Sequence, residues 1–297
     1  MKRVIVFFLV LAMSSGALFA AGTGDAAGEV YGLSLSTLNN PFFVTLKEGA
    51  EAKAIELGVE LIVMDSRDDP AREAVNMEDL IQQGVDAILV NPTDAEAVVP
   101  SIIKANNAGI PVFTIDRGAA GGDVVAHVAS DNVSGGMMAA GFLIDAIGGI
   151  GNVVELEGIA GTSAARDRGM GFNEVVGGVS TVEVVARQTA NFNRAEGLSV
   201  FENILQAQPS IDGVFAHNDE MILGAIEAAK AAGRTGIVFV GFDAVDDAVA
   251  AVNNGSLAAT VAQQPAKIGS LGVEAAHNHL IGKSVPAVIP VDLALVQ

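Results

Sequence analysis

The amino-acid sequence predicts an α/β protein with two doubly wound lobes, each built on a parallel sheet covered by helices on both faces. Short β-branched runs alternate with helix-length stretches through almost the whole chain. The strand-like runs are nearly continuous in apolar residues, as expected for parallel strands that are buried on both faces. About eleven such runs occur, which favours two sheets over one because open sheets rarely exceed about ten strands.

The first half of the chain contains the first set of predicted strands and helices. Helical stretches such as FFVTLKEGAEAKAIELG and AVNMEDLIQQG are closed by Gly58 and Gly84. Glycine readily adopts the left-handed conformation that ends many helices, so these residues predict helix C-termini. The strand-like runs between the helices end in polar residues, and they are VYGLSLS, VELIVMD, VDAILVN, PVFTID and VVAHVAS.

The second half repeats this alternation. It restarts at GNVVELEG and continues through TVEVVA, IDGVFAHND, GIVFVGFD and LAATVAQ. No linker rich in Pro, Gly and Ser separates the halves, and no low-complexity segment or short-period repeat is present. We therefore expect short crossings of the chain between the lobes, rather than a single flexible tether.

The N-terminus has the features of an export signal. Lys2 and Arg3 precede an unbroken apolar run from Val4 to Met13, and Ala20-Ala21 offers a cleavage site. The run is shorter than the roughly 18 apolar residues needed to span a bilayer. No Cys stands near the cleavage site to carry a lipid anchor. The sequence thus predicts a signal peptide over residues 1–20 and a mature protein released into the periplasm.

Composition excludes several functional classes. The formal net charge of −19 disfavours binding to nucleic acid or anionic membranes. Without cysteine the chain has no disulfide, thiolate nucleophile or Cys-ligated metal. The histidines do not show the i,i+4 spacing of a zinc helix, so we expect neither a metal nor another cofactor.

Polar and aromatic residues follow the predicted strands in both halves of the chain. Ligands of open parallel sheets bind beyond the carboxyl ends of the strands, so these residues are candidates for a binding site. Each also has a structural explanation: Asn40, Asp219 and Asp243 could cap helices, and Asp116-Arg117 could form a surface turn. Their joint placement favours a ligand site. The set comprises Asn40, Asn91, Asp116, Arg117, Asn218, Asp219, Phe242, Asp243 and Gln263.

The chemistry of this set fits a small neutral polyol. Sugar hydroxyls both donate and accept hydrogen bonds, which carboxylate, guanidinium and amide groups satisfy. The C–H faces of a sugar ring pack against flat apolar groups such as phenyl rings. No glycine-rich phosphate-binding motif occurs. Asp116 and Asp243, each expected near an arginine, are predicted to be ionised and to suit binding better than proton transfer.

At these residues the chain closely resembles the type I periplasmic sugar-binding proteins of ABC importers, and within them the ribose binders. The resemblance runs from about Glu29 to the C-terminus. The matching motifs are STLNNPFF, NPTDAEAV, DR at 116–117, ASDNVSGG, ELEGIAGTSAARDRGMGF, ANFNRAEGL, FAHNDEMILGA, VGFDAVDD and AATVAQQP.

The resemblance implies a set of sugar contacts. Asparagine, aspartate, arginine and glutamine side chains would bind hydroxyls, with Arg166 as the main guanidinium of the second lobe and Asn91 at the periphery. Phe42 and Phe43 would cover one face of the ring and Phe192 the other. The full set is Asn40, Phe42, Phe43, Asn91, Asp116, Arg117, Arg166, Phe192, Asn218, Phe242, Asp243 and Gln263.

The resemblance also implies an architecture and partners. Three crossings would act as hinges, near 130–131, 263–264 and 292–293. The first lobe would comprise 29–130 plus 264–292, and the second 131–263 plus 293–297. A monomer would close on its sugar and dock on an ABC permease, with a chemotaxis receptor as a further candidate partner.

The chain departs from the motifs of this family at a few positions. At His217 many relatives carry an uncharged amide, and at Asn193 many carry an Asp. The glycine-rich segment 118–123 could loosen the loop beside Arg117.

Allose, xylose and galactose binders are the close alternatives to a ribose binder. A sugar-responsive regulator would need an N-terminal DNA-binding headpiece, where an export signal stands instead. An enzyme would need a nucleophile and base that we do not find.

Overall fold

The computed structural model describes residues 28–297, so the predicted signal peptide lies outside the described residues. The fold class predicted from the sequence is confirmed. The described strands are β1 (Val30–Leu35), β2 (Glu60–Asp65), β3 (Ala87–Val90), β4 (Val112–Ile115), β5 (Val124–Ser130), β6 (Gly151–Glu157), β7 (Val182–Thr189), β8 (Gly213–Ala216), β9 (Val238–Asp243), β10 (Ala259–Ala262), β11 (Val288–Val291) and β12 (Ala294–Val296).

Helices connect most of these strands. They are α1 (Pro41–Leu57), α2 (Pro70–Gln83), α3 (Val99–Asn107), α4 (Asn132–Ala146), α5 (Ser163–Gly177), α6 (Arg194–Ala207), α7 (Asp219–Ala231), α8 (Asp246–Asn253) and α9 (Pro265–Leu280). No helix in residues 28–297 is both long enough and apolar enough to cross a membrane.

The first lobe is a six-stranded sheet in the order β11-β5-β4-β3-β1-β2, with helices on both faces. All of its strand pairs are parallel. Helices α1 and α9 cover one face and α2 and α3 the other, so apolar residues on both sides of the strands are buried. This double burial explains why the strands read as continuous apolar runs.

The second lobe repeats the arrangement in the order β12-β10-β9-β8-β6-β7. Helices α4 and α5 lie on one face, and α6 and α7 pack together on the other. Strand β12 pairs antiparallel with β10, unlike the parallel pairs elsewhere in the two sheets. The sequence does not predict this antiparallel edge, because the three residues of β12 carry too short a pattern to identify.

The chain passes between the lobes three times. Strand β5 ends at Ser130 in the first sheet, and α4 begins two residues later and packs on the second. The chain returns between β10 and α9, and it crosses again between β11 and β12. These short passages bring the carboxyl ends of the two parallel sheets to face each other.

Local sequence signals fix several helix ends of the first lobe. The Asn40 side chain accepts a hydrogen bond from the Phe42 backbone N–H at 2.9 Å, so α1 begins with an Asn cap followed by Pro41. Gly58 and Gly84 end α1 and α2 with φ values of 70° and 68°. The left-handed C-termini predicted from the sequence are thus confirmed.

Close helix packing sets the position of α5, which borders the interlobe space. A Cβ atom at Gly171 of α5 would lie 2.0 Å from the Val133 carbonyl oxygen of α4. One at Gly136 of α4 would lie 2.2 Å from the Arg168 carbonyl oxygen of α5. Because both contacts involve backbone, only glycine allows the two helices to approach this closely.

A buried acid in the first lobe predicts a pH-dependent stability. Glu73 is 1% exposed and accepts a hydrogen bond from the Thr93 backbone N–H at 2.6 Å. Burial raises the pKa of Glu73 from 4.5 to about 7. Between these values the folded protein binds more protons than the unfolded chain, so this residue lowers stability as pH rises.

We therefore expect Glu73→Gln to stabilise the sugar-free protein at pH 8, by about 3 kcal/mol at most. The glutamine carbonyl can still accept from Thr93 without a buried charge. The gain should shrink toward pH 5, where Glu73 of the folded protein is protonated. Urea unfolding at both pH values measures this change, with the exposed Glu227→Gln as control. An equal gain at pH 5 and pH 8 would contradict the assignment.

Candidate ligand-binding site

A small cavity lies between the carboxyl ends of the two sheets. The cavity is small, and ten side chains enclose it. Both lobes contribute walls. The lining residues are Asn40, Phe42, Phe43, Asp116 and Arg117 from the first lobe, and Ala164, Arg168, Phe192, Asn218 and Asp243 from the second.

Three phenyl rings and a guanidinium form the flat walls of the cavity. Phe42 and Phe43 meet edge to face, with centroids 5.2 Å apart and planes at 90°. The Cζ atom of Arg117 lies 5.1 Å from the Phe43 centroid and 5.2 Å from that of Phe192. Arg117 thus lies between rings of opposite lobes, in the range of cation–π attraction. These rings give the cavity apolar surfaces on both sides.

Asp116 and Arg117 supply polar groups from the first lobe. The Asn91 amide donates to Asp116 Oδ2 at 3.1 Å, and Asp116 Oδ2 lies 4.0 Å from Arg117 Nε. Asp116 Oδ1 and Arg117 Nε are buried without a hydrogen-bond partner among residues 28–297. Leaving such groups unpaired costs about 1–3 kcal/mol each, which a ligand hydroxyl could offset by accepting from one and donating to the other.

Arg168 supplies the guanidinium of the second lobe. It projects from α5, where Nε donates to Asn132 Oδ1 at 2.8 Å and Nη1 donates to the His217 carbonyl at 2.5 Å. Nη1 also lies 3.5 Å from Asp243 Oδ1. The Phe242 ring lies beneath, with its centroid 3.8 Å from Cζ. These contacts hold the guanidinium at the cavity wall.

Asp243 is the buried carboxylate of the second lobe. Gln263 donates to Asp243 Oδ1 at 2.8 Å, beside the Arg168 contact. Burial raises the pKa of Asp243 to about 7, although Arg168 and Gln263 act in the opposite direction. Burial likewise raises the pKa of Asp116 against the effect of Arg117. Desolvation thus disfavours ionisation of both carboxylates more strongly than the neighbouring arginines favour it, against the expectation from their pairing alone.

Backbone strain concentrates at the same place. Asp116, Phe192 and Asp243 have positive φ angles of 60°, 57° and 118°, which residues other than glycine rarely adopt. Asn218 donates from its amide to the Phe192 carbonyl at 3.2 Å and so supports one of these conformations. Strained residues of this kind cluster at binding sites because the surrounding structure must impose them.

The structure corrects one predicted position: the guanidinium at the cavity belongs to Arg168 and not to Arg166. The Arg166 side chain is 63% exposed and forms a surface ion pair with Asp167 at 2.9 Å, whereas that of Arg168 is 4% exposed. Residues two apart on a helix point to different faces. A helical stripe of Ala164, Arg168 and Phe172 is buried, and its four-residue spacing in the sequence could have identified Arg168.

Three other predicted residues support the site from behind its walls. Asn91 holds Asp116 and also accepts from the Ser36 hydroxyl at 2.6 Å. Phe242 lies under Arg168, and Gln263 holds Asp243. Each is fully or nearly fully buried. The remaining predicted residues line the cavity itself.

The structure also shows which residues cap these helices and what Asn193 and His217, the two departures from the family's motifs, contact. Asn218 caps α7 by accepting from the Met221 backbone N–H at 3.0 Å. Asp219 was the predicted cap, but it accepts from the Thr260 hydroxyl at 2.7 Å instead. Asn193 caps α6, and His217 is buried with Nε2 2.9 Å from Glu155 Oε1.

The lobes contact each other around the cavity. The Ala95 backbone N–H donates to the Gly161 carbonyl at 3.0 Å, and the Gly118 N–H donates to Ser163 Oγ at 2.8 Å. The glycine-rich segment after Arg117 is therefore tied to the second lobe at its first residue. Over residues 28–297, no group of three or more His, Cys, Asp or Glu side chains is arranged to hold a metal ion.

Comparisons with known proteins agree with one another. The periplasmic binding protein domain matches residues 31–284. The ribose import binding protein RbsB of Haemophilus influenzae is 50% identical over 94% of both chains. That of Escherichia coli is 48% identical over 97% of both. A solute-binding protein of Actinobacillus succinogenes, solved with bound D-allose, superposes with a TM-score of 0.85 at 34% identity, covering 91% of this chain and 97% of its own.

Proposed function

Because the chain belongs to the periplasmic binding protein family, we propose that it captures D-ribose between its lobes and delivers the sugar to an ABC importer. It is a binding protein and not an enzyme. The observation that carries the proposal is the cavity, where acidic, guanidinium and amide groups of both lobes alternate with three phenyl rings. Relatives with about half of their residues identical bear the name of ribose import binding proteins.

The residues that line the cavity are divided between the two lobes, which explains how binding would be coupled to closure. Asp116 and Arg117 belong to the first lobe, whereas Arg168 and Asp243 belong to the second. Only the closed arrangement offers both sets of hydrogen bonds to one sugar, so the sugar shifts the population toward closure. The units 29–130 plus 264–292 and 131–263 plus 293–297 would rotate about the three crossings.

Calorimetric titration against pentoses and hexoses tests the proposal. We expect ribose to bind most tightly, because an epimer would leave buried polar groups of the site unpaired. Small-angle scattering should show compaction when ribose saturates the protein. If the titrations show no preference for ribose over the other sugars, the ribose assignment is rejected. If scattering shows no compaction when ribose saturates the protein, closure is rejected.

A second candidate is another aldose, such as allose, xylose or galactose. The structural relative solved with bound D-allose favours this alternative, since the same fold encloses a hexose there. The titration panel distinguishes these sugars from ribose directly.

The partners follow from the proposed role. The closed protein, exported as a mature chain without a lipid anchor, would present both lobes to an inner-membrane permease. A chemotaxis receptor could bind the same surface of the closed protein. We propose that the protein acts as a monomer, which sedimentation velocity with and without ribose would test; a concentration-dependent increase in mass would reject it.

A further inference from the structure

Asn132 lies at the first crossing between the lobes and contacts the guanidinium of the site. It is the first residue of α4, two residues beyond Ser130, and it is 7% exposed. Its Oδ1 accepts from Arg168 Nε at 2.8 Å. Its own side chain does not line the cavity between the lobes.

The chemistry of the pair fixes the orientation of the amide. A guanidinium carries donors only, so Asn132 must present Oδ1 to Arg168. The Nδ2 group is then directed to the Ser130 carbonyl, 3.5 Å away. The side chain of Asn132 thus joins the guanidinium on one side to the end of β5 on the other, and it spans the Ser130–Asp131 crossing.

The remaining contacts of Arg168 show what Asn132 adds. Nη1 is held by the His217 carbonyl and Asp243, and Phe242 supports the flat face. Among residues 28–297, only Asn132 accepts a hydrogen bond from Nε. Within the described part of the chain, the hydrogen bonds of Arg168 use Nε and Nη1, which leaves Nη2 for a ligand. A guanidinium fixed along Nε and Nη1 presents Nη2 in one orientation.

We propose that Asn132 is a positioning residue, which orients Arg168 for the sugar from the first interlobe crossing. This inference rests on the proposed sugar-binding function. An arginine side chain loses considerable rotamer freedom when it is fixed, so a guanidinium already held in place binds more tightly. Because the second amide contact is with Ser130, rotation at the crossing and orientation of the guanidinium are coupled.

Two isosteric variants separate positioning from simple structural support. Asn132→Leu keeps the size but removes the acceptor and leaves the Nε–H buried without a partner. Asn132→Asp restores an acceptor for Nε and lacks the donor to Ser130. By titration calorimetry, we expect Asn132→Leu to weaken ribose binding about ten- to hundredfold and Asn132→Asp to recover most of that loss.

Two further measurements make the test decisive. In the Arg168→Ala background, Asn132→Leu should have no additional effect on affinity, because its action passes through Arg168. In nitrogen-15 spectra of the sugar-free protein, the Arg168 Nε–H signal, assigned by its loss in Arg168→Ala, should be sharp in the wild type and in Asn132→Asp. In Asn132→Leu this Nε–H signal should broaden, or its proton should exchange rapidly with water.

Three results would overturn the inference: wild-type affinity in Asn132→Leu, an equal loss in the Arg168→Ala background, or an unchanged Nε–H signal. Circular dichroism and thermal unfolding verify that each variant is folded. The spectra need no ribose, so they test the positioning of Arg168 even if the wild-type protein binds a different sugar. Failure of wild-type ribose binding would reject the proposed function separately.

Discussion

Replacing Arg168 by alanine is expected to lower ribose affinity by at least about 30-fold, since truncating one partner of a buried, hydrogen-bonded charge pair costs 2–5 kcal/mol or more. The loss has two causes. The sugar loses the guanidinium donor of the second lobe, and Asp243, 3.5 Å from Arg168 Nη1, loses its nearest cation. Calorimetric titration with ribose measures the effect.

Arg166→Ala is the matched control for this variant. It removes the same side chain two positions earlier on the same helix, where the group is exposed and pairs only with Asp167. Surface ion pairs contribute little, so we expect affinity close to that of the wild type. If Arg166→Ala weakened binding as strongly as Arg168→Ala, the assignment of the two arginines would be reversed.

The second large effect is expected for Asp243→Asn. The change preserves volume and removes a buried charge that accepts from Gln263 and faces Arg168. An amide cannot pair with the guanidinium through its NH₂ group, and it accepts fewer hydroxyl hydrogen bonds than a carboxylate. We expect ribose affinity at pH 8, above the raised pKa of Asp243, to fall by at least about 30-fold.

Asp246→Asn controls for charge in this experiment. Asp246 is exposed, three residues further along the chain at the start of α8. It should leave affinity nearly unchanged at the same pH and ionic strength. Wild-type affinity in Asp243→Asn would remove this carboxylate from the site, and a comparable loss in both variants would indicate a general effect of net charge.

Several features of the site follow from local sequence patterns. Asn40-Pro41 at the start of α1 and the glycines at the ends of α1 and α2 depend on neighbouring backbone geometry, which short motifs specify. The polar residues at strand ends converge because parallel strands place their carboxyl ends on one edge. For this reason Asp116, Arg117 and Asp243 could be predicted without knowledge of the lobes' arrangement.

Other features depend on contacts between distant segments. Asn218 and Asp219 are both good caps in sequence, and the choice between them depends on Thr260, which lies 41 residues away in the chain. The raised pKa of Asp243 depends on its burial among residues of both lobes. Such effects have no local signature, because they arise from desolvation and from partners that only folding brings together.

Local patterns in the chain specify the α/β class, the division into two sheets and the polar cavity residues that follow strand ends, namely Asn40, Asp116, Arg117, Asn218 and Asp243. These properties reside in periodicity, turn residues and strand ends, all of which are encoded over a few neighbouring residues. Three other features are set by contacts between distant segments: Arg168 rather than Arg166 faces the cavity, β12 runs antiparallel, and Asn132 holds the Arg168 guanidinium. Each of those depends on which face of one segment meets another segment, and burial and hydrogen bonding select that face only after the chain has folded.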